Sequence, residues 1–174
     1  MLEEFRLWLI ANPIVIDFCV LLVIYQIKHY LCDYPLQNEY MLGKFKPGFQ
    51  FIAPLAFHSG AHGVGTFLIS SVYLYQKDSF VAIPIILLCC FDFISHFVMD
   101  RIKASPNLLG RYHPLSPTEY KDLIQFEMKE GPDAQTIQDK KHNKLFWWSV
   151  GLDQGVHHLT HYSIMISLLY LAYH

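Results

Sequence analysis

The chain has 174 residues, 53% hydrophobic, 16% aromatic and only 16% charged, with a formal net charge of −2. Soluble domains carry about 25% charged residues, so this composition argues against an ordinary water-soluble globule. The near-balanced charge, with no basic stripe, excludes nucleic acid as an expected partner. Its length suits one domain, 1–174.

Residues 1–12 carry Glu3, Glu4 and Arg6 and lack the basic region and small-residue cleavage site of a secretory signal. A first membrane span is predicted over about 14–34, after Pro13 and before Pro35. A short polar loop with Lys44 and Lys46 leads to a second span over about 51–75, whose small-residue start FIAPLAFHSGAHGVG suits close helix packing in lipid. A tight turn at 76–79 precedes a third span over about 80–100. The long polar loop 101–144 contains Ser116-Pro117-Thr118-Glu119, a capped helix start. It predicts an amphipathic helix over about 117–129, ending before Gly131-Pro132. The fourth span, about 145–173, opens with the interfacial aromatics Phe146, Trp147 and Trp148. Cys19, Cys32, Cys89 and Cys90 lie in apolar stretches and read as small hydrophobes rather than disulfides or metal thiolates.

The expected fold is therefore all-α: a polytopic membrane protein with four transmembrane helices in a bundle plus an amphipathic cytoplasmic helix. Lysine and arginine concentrate in loops 35–50 and 101–144, whereas the opposite side holds only Arg6 and Lys77. The positive-inside rule places the long loop in the cytoplasm and both termini outside.

Each predicted span carries two metal-ligand residues four apart: His29/Asp33, His58/His62, His96/Asp100 and Asp153/His157. Residues four apart share one helix face, so each pair presents both groups together. The chain alternates direction, and all four pairs fall at the loop end of their spans, which predicts a common depth and one polar site. A lone histidine or aspartate in such a helix is more often a hydrogen-bonded interior group, and polar residues also join membrane helices without chemistry. Eight costly ionisable groups at one depth favour a site. Mixed imidazole and carboxylate ligands point to a divalent metal, Zn²⁺ first, with Mn²⁺ or Fe²⁺ as alternatives. Eight groups exceed one tetrahedral ion, so one or two ions, about 3.5–4 Å apart if two, are expected. Asp92 and Gln37 extend the stripes as outer groups, and His161 as a ligand or proton carrier. His158 is turned about 100° from His157. Lys103, one turn past Asp100, reads as a snorkelling lysine, with phosphate binding as the alternative.

The segments HYLCDYPLQ (29–37), HFVMDRIK (96–103) and DQGVHH (153–158) resemble the motifs HxxxD[FY]xLQ, HxxxDxxK and DQxxH of a domain-of-unknown-function family of small bacterial and phage integral-membrane proteins. The resemblance covers most of the chain except the long loop. It implies a membrane setting and locates the site without assigning a reaction. These His/Asp helices also look broadly similar to membrane-associated metal-dependent hydrolases, which implies hydrolysis of a lipid headgroup or another membrane-proximal ester. The alternatives are a metal or proton transporter, and a non-catalytic pore, effector or phage accessory factor with a structural metal. The expected surroundings are the lipid bilayer and, as an option, further copies of the same chain.

Overall fold

The computed structural model describes residues 1–105 and 144–174, which are helical and contain no strand among the described residues. Helix α1 (Leu2–Ala11) precedes α2 (Pro13–Asp33), and a short 3-10 helix, Met41–Phe45, follows. Then come α3 (Ile52–Gln76), α4 (Ala82–Ala104) and α5 (Lys144–Tyr173). The helix expected at 117–129 lies outside the described residues.

Local chemistry explains the boundaries. Pro13 occupies the first turn of α2, where its missing N–H costs nothing and its fixed φ suits the helix. The helix ends at Asp33; Tyr34 caps it through its N–H to Tyr30 O at 3.1 Å. Pro35 then lacks the N–H that would continue the helical ladder, and propagation stops there.

Among the described residues two helices, α2 and α4, are long and apolar enough to cross a membrane, not the four that the hydropathy reading puts forward. The shortfall has a chemical origin. Helix α3 spends its length on His58, Ser59, His62, Thr66, Ser70 and several glycines, and α5 on Asp153, Gln154, His157, His158 and His161. The side chains that make the helices chemically interesting are those that lower their apolarity.

The chain divides into two compact units. The first comprises residues 1–37, 58–94 and 158–174. Its core is built from Leu21 and Tyr25 of α2, Tyr73 and Leu74 of α3, Ile85 of α4, and Ile164, Met165, Leu168 and Leu169 of α5. Along each helix the buried stripe then changes character. On α2, Leu21 and Tyr25 give way to Lys28 and His29; on α3, Leu74 and Tyr73 to Ser70, Thr66 and His62; on α4, Ile85 to Asp92; on α5, Ile164 to His161. An apolar plug thus abuts a polar layer. Beyond the plug, Asp17 accepts hydrogen bonds from the Tyr73 hydroxyl at 2.9 Å and the Tyr173 hydroxyl at 2.8 Å, and pairs with Lys77 at 2.6 Å. The hydrogen bond to Asp17 holds the Lys77 ammonium above the usual lysine pKa.

The second unit comprises residues 38–57 and 95–157, of which 38–57, 95–105 and 144–157 are described. Here the 3-10 helix packs on the start of α3, where a Cβ on Gly43 would meet Pro54 Cγ at 2.8 Å. The Arg101 guanidinium lies over the Phe51 ring, 3.6 Å from its centroid, within cation–π range.

Candidate metal centre

In the first unit the last turn of α2 meets the early turns of α3. His29 Nε2 stands 3.2 Å from Asp33 Oδ2, the i, i+4 pair on one face of α2. From α3, His62 Nε2 approaches Asp33 Oδ1 to 3.1 Å and His58 Nε2 approaches the same oxygen to 3.5 Å. His58 and His62 are also i, i+4, with ring centroids 5.1 Å apart and nearly perpendicular. Three imidazoles therefore face one carboxylate. They are almost fully buried, whereas the Asp33 side chain keeps 22% of its exposure and marks the open side of the group.

A second set overlaps the first. Ring nitrogens of His29, His62 and His161 lie within 4.8 Å of one another, as do ligand atoms of Asp33, His58 and His62. The His29 and His161 rings are arranged edge to face at 5.3 Å. His161 is completely buried, and its Nε2 lies 3.2 Å from Lys28 Nζ. Lys28 Nζ also donates to Asp92 Oδ2 at 2.5 Å, an oxygen that accepts from Thr66 Oγ1 at 2.6 Å. Asp92 is thus the counter-ion of a buried lysine. His158 places its Nδ1 3.2 Å from Gln26 Nε2. Gln37 is half-buried beyond the end of α2.

In the second unit, Asp100 of α4 faces Asp153 and His157 of α5. His157 Nε2 is 3.3 Å from Asp153 Oδ1 and 3.8 Å from Asp100 Oδ1, and the three groups offer ligand atoms within 4.8 Å of one another. His96 stacks on His157 with centroids 4.1 Å apart and planes 14° from parallel. The outer oxygens are held by lysines: Lys44 Nζ donates to Asp100 Oδ2 at 2.8 Å, and Lys103 Nζ to Asp153 Oδ2 at 2.7 Å. Two ammoniums balance two carboxylates, and their grip turns the inner Oδ1 atoms toward His157.

Sequence reasoning misses the three lysines. Lys28 and Lys44 count in the sequence only toward the loop-side positive charge, and Lys103 reads as a snorkelling lysine, yet each binds a buried aspartate. The available signal was that an aspartate in an apolar segment needs a partner.

A family model described as a protein of unknown function (DUF3307) matches residues 21–173. No curated protein and no solved structure matches the chain.

Proposed function

For a chain that belongs to the DUF3307 family of unknown function, we propose an integral-membrane, divalent-metal-binding protein that hydrolyses a lipid headgroup or another membrane-proximal ester. The observation that carries this reading is the geometry around Asp33. In a tetrahedral zinc site with bonds of about 2.0–2.1 Å, neighbouring donor atoms stand roughly 3.3–3.4 Å apart. Asp33 Oδ1 lies 3.5 and 3.1 Å from the Nε2 atoms of His58 and His62, with which it forms one group of ligand atoms, and Asp33 Oδ2 lies 3.2 Å from His29 Nε2. This donor set suits Zn²⁺, and accommodates Mn²⁺ or Fe²⁺.

His29, His58 and His62 would hold the ion from the buried side. Asp33, on the open side, would complete the coordination or take a proton from the attacking water. A bound ion supplies Lewis acidity and brings the pKa of its water to about 7. Asp100, Asp153 and His157 form a second candidate ligand group, with His96 stacked on His157 and Lys44 and Lys103 orienting its carboxylates as outer-shell partners do.

The membrane setting is supported by an inverted surface. On α2, Val20, Val23, Ile24, Ile27 and Leu31 are exposed, opposite the buried Leu21, Tyr25, Lys28, His29 and Cys32. On α4, Ile83, Leu87, Ile94 and Val98 form a similar exposed stripe. Apolar stripes outside and ionised groups inside are stable in lipid and costly in water. Hydrolysis is favoured over transport because in the first unit the polar layer gives way to the buried Leu74, Ile85, Ile164 and Leu168, which separate it from the Asp17 cluster.

The test is elemental analysis of detergent-purified protein. Wild type should retain a divalent ion through dialysis, and His62→Ala should lose it more than about tenfold with helicity unchanged. Metal-free wild type would remove the proposal.

A further inference from the structure

The polar layer of the first unit contains a cation of its own. Lys28 is buried toward the end of α2, its Nζ between Asp92 Oδ2 at 2.5 Å and His161 Nε2 at 3.2 Å. An ammonium only donates, so His161 must present the Nε2 lone pair and carry its proton on Nδ1. The lysine therefore takes up both a carboxylate oxygen and an imidazole lone pair, the donor types a divalent ion would use. Ring nitrogens of His29 and His62 lie within 4.8 Å of that of His161. Helix α3 makes room for the lysine stem: a Cβ on Gly65 would meet Lys28 Cγ at 2.9 Å.

We propose that Lys28 is a tethered stand-in for a second metal ion, filling a pocket formed by Asp92 and His161 beside the imidazoles of His29 and His62. Two-metal hydrolytic sites use the second ion as fixed positive charge beside the first. Here a covalently attached ammonium supplies that charge, and the Asp33 group works with one ion. The catalytic consequence rests on the hydrolase reading; the ion count does not.

Metal-to-protein ratio after zinc loading and dialysis tests this, comparing wild type, Lys28→Met, and Lys28→Met combined with Asp92→Asn. Lys28→Met should bind one ion more than wild type, and the double variant no more than wild type. If wild type holds no ion and Lys28→Met holds one, the tethered-cation proposal stands while the hydrolase reading falls. Should Lys28→Met fold only when zinc is present, with the double variant folding without it, the pocket is also established. Equal ratios in wild type and Lys28→Met, an extra ion in the double variant, or a Lys28→Met protein that zinc cannot rescue while the double variant folds would each overturn the proposal.

Discussion

At the scale of single residues, the buried ion pairs set the energetics. Lys44 and Asp100 are both nearly inaccessible, so Lys44→Met would strand a carboxylate away from water. Removing one partner of such a pair costs about 3–5 kcal/mol. Chemical denaturation in detergent should show a loss of that order for Lys44→Met, with most of it recovered when Asp100→Asn is added. Lys103→Met should cost less, because Lys103 keeps 26% of its exposure and water can reach the end of the pair. The pairs His29/Asp33 and His58/His62 were legible in the sequence, since spacing of four fixes a common helix face whatever the tertiary structure. The lysines were not. Lys28 and Asp92 are 64 residues apart, and no local pattern says that one helix will turn its lysine toward another's aspartate. The overlap of ligand sets at His62 depends on the same long-range packing.

At the scale of helices, α3 shows how a small residue admits a large one. With a Cβ position 2.9 Å from the Lys28 stem, Gly65→Ala should destabilise by about 1–3 kcal/mol, the usual range for overpacking. That penalty should shrink in a Lys28→Ala background if the lysine is its cause. Gly151 of α5 has open space around its would-be Cβ. Gly151→Ala should therefore be neutral, or stabilising by up to about 1 kcal/mol through helix propensity. Thermal unfolding of the four proteins beside wild type checks both expectations. Element type and approximate position were readable from Pro13, Pro35 and the apolar runs. The short helix α1 was not anticipated, because Leu2–Ala11 mixes charged and apolar residues without a clear face. The count of spans was overdrawn because a bilayer-length window accepts histidine, serine and glycine within apolar surroundings, whereas α3 and α5 together carry too many of them.

At the scale of the whole molecule, the described residues bury many polar and ionisable groups beside an apolar core, and α2 and α4 turn large apolar side chains outward. Buried polar residues include Lys28, His29, His58, His62, Asp92, His96, Asp100, Asp153, His157 and His161, and exposed apolar residues run along α2 and α4. That distribution supports the proposed bilayer setting. Expressed protein should stay in the pellet when membranes are washed with alkaline carbonate and should be released by mild detergent. Release by carbonate alone would argue against spanning helices.

X-ray absorption at the zinc edge, recorded on detergent-purified protein loaded with one equivalent of Zn²⁺, bears most directly on the Asp33 group. Three imidazole nitrogens and one oxygen at about 2.0–2.1 Å are the expected first shell, with Asp33→Ala replacing a carboxylate oxygen by water and His58→Ala removing one imidazole. A shell containing sulfur, or zinc so loosely held that it keeps an all-water spectrum, would contradict a histidine–aspartate centre in this protein.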